Sequence, residues 1–239
     1  MSKVLVIPDV HLKPRIFDQA LEVMENTDCE RAVCVGDLVD DWGCGDDVAL
    51  YEKTLKKAIA FAQKYPDTLW CYGNHDLSYL WEQFSHPGYS AAAADPVCDL
   101  LEDLKDALET PENLAIVHRL DRVIFSHAGL SYPFASLQLY DMMDDVDCMI
   151  DTINGYGVEE LWELNSPIWI RPQDWEPAGG MHPNGYMQVV GHTPVLEILW
   201  QPELELLTVD TFSTYSDGRP YGNETLCLVD TIAKTWSVL

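Results

Sequence analysis

The stretch TLWCYGNHD, residues 68–76, passes from a mostly apolar run to Gly73 and then to three adjacent polar side chains, Asn74, His75 and Asp76. The run reads as a short buried strand, and the polar residues mark where it ends. Gly, Asn and Asp are ordinary turn formers. Taken alone, the stretch is as consistent with a plain loop as with a site built at a strand end.

Working outward from it, strand-like and helix-like patterns alternate. Lys3–Ile7 is a β-branched run, and Arg15–Asn26 carries apolar residues at helical spacing, among them Ile16, Ala20, Leu21, Val23 and Met24. A second apolar run at 31–35 is followed by a helical pattern at 47–64, with Asp46 as its expected N-cap. With 68–72 as the third strand, this βαβαβ order implies parallel strands joined by right-handed crossovers. Further helical patterns lie at 77–84 and 97–108, strands at 115–120 and 122–126, and a helical region at 133–164. The rest is strand-rich: 186–190, 195–200, 204–209, 225–229 and 235–239. Residues 85–94 and 172–185 read as surface loops, and neither shifts composition as a linker would. The fold class expected is α/β: two sheets packed face to face and flanked by helices, as one domain over residues 1–239.

Composition narrows the function. A chain of 239 residues with 47% hydrophobic content can bury one substantial core. Fourteen basic against 40 acidic residues, a net charge of −26, argue against a nucleic-acid partner. No apolar run approaches the ~20 residues of a membrane span, and the start MSKVLVIP lacks the features of a signal peptide. A cytoplasmic chain without membrane contact is expected. Seven cysteines without a Cys-x-x-Cys pair fit reduced thiols, with Cys34 and Cys71 in the core.

The residues that follow each apolar run repeat one theme. In parallel sheets, sites form beyond the carboxyl ends of the strands. There the chain places Asp9 and His11, then Asp37 and Asp40, then Asn74, His75 and Asp76, then His127, then His192. Four of the seven histidines fall at these five strand ends, which packing alone does not explain. An i, i+2 pair such as Asp9 and His11 points two metal-binding groups the same way on extended chain.

In order, Asp-x-His, Gly-Asp-x-x-Asp, Gly-Asn-His-Asp, Ser-His-Ala-Gly-Leu and Val-Gly-His-Thr-Pro, this series resembles the calcineurin-like metallophosphoesterases. Its last two blocks are most similar to the phosphoprotein phosphatase branch, including small bacterial and phage enzymes. The resemblance implies the four-layer αββα fold of that superfamily and a two-metal centre. Asp9, His11 and Asp37 would hold one ion, and Asp37, Asn74, His127 and His192 the other. Manganese is the first choice, with iron or zinc as alternatives, since mixed imidazole and carboxylate ligands suit such ions. Also implied are a metal-activated water as nucleophile, His75 as general acid and Asp40 holding it in place. The substrate implied is a phosphorylated one, a phosphoprotein or a nucleotide. The expected activity is that of a phosphomonoesterase of Ser/Thr protein phosphatase type, with a dinucleoside polyphosphate hydrolase as the alternative. A phosphodiesterase or nuclease and a non-catalytic metal-binding protein are more distant.

The chain departs from the family pattern in places. Asp41 stands where protein phosphatases of the family carry a phosphate-binding Arg. Pro8 and Leu12 replace glycines that often flank Asp-x-His, and Pro194 stands where the diesterases have a second His. Arg171 resembles the other phosphate-binding Arg of the phage-type enzymes, so Arg171 and Asn74 are expected substrate contacts. His86, His118 and His182 lie outside the blocks and are expected to be structural or solvent-facing. Trp42, Trp81, Trp162, Trp169 and Trp175 are expected in the core.

Overall fold

The structure is a computed structural model that describes residues 3–81, 86 and 88–239. Residues 82–84 of the helix expected at 77–84, and 85 and 87 of the loop expected at 85–94, lie outside the described residues. The strands are β1 (Lys3–Ile7), β2 (Arg31–Cys34), β3 (Leu69–Cys71), β4 (Leu114–Ala115), β5 (Val117–Leu120), β6 (Val123–Ser126), β7 (Met187–Val190), β8 (Leu199–Gln201), β9 (Leu206–Thr208), β10 (Cys227–Asp230) and β11 (Thr235–Val238). They form two mixed sheets, ordered β11-β10-β1-β2-β3-β4 and β5-β6-β7-β9-β8. The run β1-β2-β3-β4 is parallel, as is β6-β7-β9, while β10, β11, β5 and β8 pair antiparallel at the edges.

Alternation along the inner strands explains the sandwich. Val4 and Val6 of β1 pack with Val33, Leu69, Phe125, Val189 and Leu207 in the cluster between the sheets. Leu5 and Ile7, pointing the other way, join Ala32, Cys34 and Trp70 against Phe17, Leu55 and Leu101. Those three come from α1 (Arg15–Asn26), α2 (Val48–Lys64) and α4 (Ala94–Asp106), the helical layer on the first sheet; α3 (Asn74–Leu80) is a short helix directly after β3. On the second sheet, Val117 and Ile124 pack with Phe134, Ile150 and Leu161, from α5 (Tyr132–Gln138), α6 (Val146–Asn154) and α7 (Val158–Leu161). A strand with both faces covered favours apolar residues on both, which is why Val4–Ile7 of β1 is an unbroken hydrophobic run. Phe125, fully buried between the sheets, contributes ~1.5–3 kcal/mol by burial alone.

Several boundaries differ from the expectation. The run at 115–120 is divided: β4 ends the first sheet at Ala115 and β5 begins the second at Val117. Asn154 holds the crossing, its Oδ1 accepting from Ile116 N (3.1 Å) and Val117 N (2.9 Å) while Nδ2 donates to Val117 O (2.9 Å). Period-2 patterning cannot report which sheet a strand joins. The helical region at 133–164 breaks into α5, α6 and α7, and Asp145 caps α6 through Cys148 N. The strand expected at 195–200 shrinks to β8, because Val195 N is taken by Asp210 O outside any ladder. Asp47, not Asp46, caps α2, accepting from Leu50 N at 3.1 Å.

Candidate metal centre

The loops after β1, β2 and β3 bond to one another before any side chain is considered. Val10 N and His11 N both donate to Asp37 O, at 3.0 and 2.8 Å. Gly36, at φ +102°, sits so close to the third loop that a Cβ there would lie 2.6 Å from Gly73 N. Nine non-glycine residues have positive φ among those described, and His11, Asp37, Asp40 and His192 are four of them. Unfavourable backbone conformations thus concentrate where functional side chains are aimed.

The opening stretch is not a plain loop: Asn74 begins α3 directly after the Gly73 turn. Asp76 accepts from Gly73 N through Oδ2 (3.0 Å) and from Leu38 N through Oδ1 (2.9 Å), tying the third loop to the second. Asp37 Oδ1 accepts from His75 N at 3.0 Å. Added bulk is not tolerated there, since a Cβ on Gly73 would fall 2.0 Å from that same oxygen. Asp76 therefore fixes the turn, and Asn74 and His75 are free to face the cavity.

From the second sheet come His127 after β6 and His192 after β7, joined where Gly191 N donates to His127 O at 2.8 Å. Each imidazole is turned by a backbone carbonyl. His11 Nδ1 meets Asp40 O (2.8 Å), His127 Nδ1 meets Val35 O (3.0 Å), and His192 Nε2 meets Trp169 O (3.1 Å). A ring N–H donating to a carbonyl leaves the other nitrogen as a lone pair, the arrangement that suits a metal ligand. The free nitrogens converge: His127 Nε2 lies 3.1 Å from His192 Nδ1, 2.9 Å from Asn74 Oδ1 and 3.3 Å from Asp37 Oδ2. With both rings neutral, these four atoms would face one another as acceptors with no hydrogen to share, a conflict that a proton or a cation relieves. Asp37 Oδ2 also lies 3.7 Å from His11 Nε2 and 4.0 Å from His75 Nε2. Asp9 Oδ2 accepts from His192 N (2.8 Å) and lies 4.0 Å from His11 Nε2, while the buried Asp9 Oδ1 has no partner. An unpartnered buried carboxylate oxygen beside imidazole lone pairs fits a divalent or trivalent cation.

The family follows from sequence as well as shape. A profile of the calcineurin-like phosphoesterases matches residues 2–218. The chain belongs to that family. It is accordingly a metal-dependent phosphoesterase, of a family that works with two metal ions. No curated protein matches the chain. Among solved structures, a cold-active protein-tyrosine phosphatase of a psychrophilic Shewanella species is similar at 17% identity, with 100% of this chain and 80% of that one covered and a TM-score of 0.55. A protein serine/threonine phosphatase from Saccharomyces cerevisiae, described as similar to human phosphatase PP5, is similar at 17% identity, with 95% and 72% covered and a TM-score of 0.53. At such identity these likenesses speak for the fold alone.

In this calcineurin-like chain Asp9, Asp37, Asp40, Asn74, His127 and His192 are at most 6% exposed, while the His11 and His75 side chains are each 15% exposed. Burial penalises the Asp37 carboxylate, yet the charges of His127, His75 and His11 hold it well below the usual carboxylate range. Burial also opposes a charged His127, but Asp37 outweighs it and pushes that imidazole up to about 9. His192 goes the other way, lowered by burial and then by His127. His75 is raised: burial works against its charge, and Asp37 and Asp40 prevail. Its Nδ1 lies 2.9 Å from Asp40 Oδ2, and Asp40 Oδ1 accepts from Tyr51 OH (2.7 Å) and Tyr79 OH (2.6 Å).

The other expected residues fall in different places. Arg171 Nη1 donates to His192 O (2.8 Å) and Thr193 Oγ1 (3.2 Å), so it stands behind His192. Asp41 is not a free charge: its Oδ2 accepts from Lys13 Nζ at 3.0 Å, and its Oδ1 from Trp42 N and Thr214 Oγ1. His118 is buried and bonded to Trp70 O (3.0 Å), and His182 is bonded to Met143 O (3.0 Å). His86 is not remote from the cluster: its ring centroid is 3.7 Å from that of His75 and 5.6 Å from that of Trp169, and its Nδ1 accepts from Gly88 N at 3.0 Å. Trp81, Trp162 and Trp169 form an edge-to-face chain ending on His192, whereas Trp42 and Trp175, expected in the core, are 63% and 47% exposed. Sequence reasoning missed Lys13, Tyr51, Tyr79 and Asp210. Of these only Asp210, directly beyond a strand, carried a signal.

Proposed function

We propose that the chain is a two-metal phosphomonoesterase of the protein phosphatase type, folded as one domain over residues 1–239. The observation that supports this best is Asp37 Oδ2, a single oxygen within 4.0 Å of ring nitrogens on His11, His75 and His127. Such an oxygen is suited to bridge two cations. In this reading Asp9, His11 and Asp37 hold the first ion, and Asp37, Asn74, His127 and His192 the second. When bound, the ions supply Lewis acidity to phosphoryl oxygens and acidify water. The mixture of carboxylate, imidazole and amide favours manganese, with iron or zinc as alternatives.

The chain supplies the rest. His75, whose charged form Asp37 and Asp40 favour, donates from Nε2 to the leaving oxygen, and the Nδ1 bond to Asp40 keeps the ring aimed. Asp40 in turn is held by two phenols, so the dyad has little freedom to turn. Arg171, one of whose nitrogens is spent on the 192–193 backbone and hydroxyl, has further N–H groups to offer phosphoryl oxygens, and Asn74, whose buried Nδ2 has no hydrogen-bond partner, would be a second contact. No helix among the described residues is long and apolar enough to cross a membrane, and the buried thiols of Cys34, Cys71 and Cys227 suit a reducing, cytoplasmic setting.

The test is a substrate panel on manganese-reconstituted protein: phosphopeptides, mononucleotides, dinucleoside polyphosphates and a bis-aryl phosphodiester, each beside His75→Asn. Phosphomonoesters should be hydrolysed fastest. Preferred cleavage of dinucleoside polyphosphates would move the assignment to nucleotide phosphoanhydrides, and a diester cut faster than its monoester would overturn it.

A further inference from the structure

Asp210 lies two residues beyond β9 at the same edge of the sandwich, and the ligand sets above leave it unused. Asp9, His11 and Asp210 each present a ligand atom within 4.8 Å of the other two. Asp9 is fully buried, and its Oδ1 has no hydrogen-bond partner. Asp210 is buried to the same degree, and Ser213 aims both its oxygens: the N–H donates to Oδ1 at 3.2 Å and the hydroxyl to Oδ2 at 2.9 Å. Among the described residues, no lysine or arginine pairs with Asp9 or Asp210. Among the described residues, the ring nitrogens within 4.0 Å of Asp9 are those of His11 and His127, each at 4.0 Å, and the His192 amide donates to its Oδ2. Two carboxylates this deep and close repel strongly at low dielectric unless positive charge lies between them.

The two cation positions of the proposed function are also unequal without Asp210. The second draws four protein groups, the first only three. We propose that Asp210 is a fourth protein ligand of the first position, which is thereby built from three carboxylates and one imidazole. This rests on the two-metal reading and deepens it. An oxygen-rich first position prefers a hard cation such as Mn²⁺, while the second, with two imidazoles and an amide oxygen, is the more accommodating to Zn²⁺.

The experiment is calorimetric titration of the metal-stripped full chain with MnCl₂, with bound metal counted by elemental analysis. Wild type should bind two ions. Asp210→Asn should keep one site at wild-type affinity and weaken the other by at least the roughly 10- to 100-fold typical of losing an outer-shell partner. Ser213→Ala, which loosens the aim but keeps the carboxylate, should weaken that same site less, and it decides the matter if Asp210→Asn fails to fold. The metal-free Asp210→Asn protein should melt no lower than wild type, because one of two facing carboxylates has been neutralised. Two sites of unchanged affinity, with a lowered metal-free melting temperature, would make Asp210 a mere cap for the Ser213 turn and overturn the inference. Wild type that binds no manganese would instead overturn the two-metal reading beneath it.

Discussion

The two sheets build their halves of the centre differently. Beyond the first sheet, three loops are stitched to one another: Val10 and His11 amides on Asp37 O, the His75 amide on Asp37 Oδ1, the Leu38 and Gly73 amides on Asp76. Beyond the second, the two loops meet, among the described residues, through one backbone bond from Gly191 N to His127 O and the contact of the His127 and His192 rings, which are steadied by carbonyls of distant segments, Val35 and Trp169. The first half carries Asp9, Asp37 and Asp40, all buried, whose charge must be held against burial, and so its backbone is overdetermined. The second half carries two imidazoles, each turned by one orienting hydrogen bond to a carbonyl. Changes in the first half should therefore propagate across several loops, and changes in the second should stay local.

The sharpest way to break this contrast is Asp37→Asn. It removes the charge on which His11, His75 and His127 converge, so bound metal should fall from two ions towards none and activity to background. Elemental analysis showing two ions retained would contradict the hub. Next comes His75→Asn, which should keep both metals and lower turnover by roughly 10²- to 10⁴-fold, the range for losing a general acid. Unchanged turnover with metals intact would remove His75 from that role.

The seam between the halves offers a third measurement. A Cβ on Gly191 would fall 1.7 Å from Asp9 Oδ1, so Gly191→Ala forces the two halves apart. It should cost ~1–3 kcal/mol in denaturant unfolding, the usual range for overpacking, and weaken metal binding. The smallest effect concerns His118, on the second sheet, which is bonded to Trp70 O on the first. Burial pushes this imidazole down to about 4. Between its ordinary value of 6.5 and about 4, the unfolded chain takes up a proton that the folded chain refuses, so stability is lost as pH falls through that window and is unaffected above it. The loss should be about 1 kcal/mol at pH 5.5. His118→Gln should flatten that part of the stability profile; an unchanged slope would show that the buried imidazole does not cause it.

Much of this was legible in the residues. Asp9, His11, Asp37, Asn74, His75, His127 and His192 stand directly after apolar runs, and a chain folded as parallel strands has to bring such positions to one edge. Asp76 was visible as a letter but not as a clamp, since its two acceptors serve amides three and 38 residues away. Tyr51 and Tyr79 lie inside helices, where an aromatic reads as core, and core they are, except for hydroxyls that end on Asp40. His86 belongs to no motif and is recognisable only by the imidazole it rests against. Asp41 looked like a reversed charge beside the substrate. Lys13, buried next to it, alters that electrostatic picture.

By itself the chain of residues determined the alternation of elements, the two-sheet class and the inner ring, because periodicity reports burial and short polar blocks report strand ends. Tertiary structure decided which sheet each strand joined, as at Ile116, and which side chains from different elements come within 4.8 Å of one another, as Asp9 does with Asp210. The physical reason is range: burial and backbone geometry leave local periodic marks, whereas hydrogen bonds and electrostatic contacts between distant segments are made only when the sheets close.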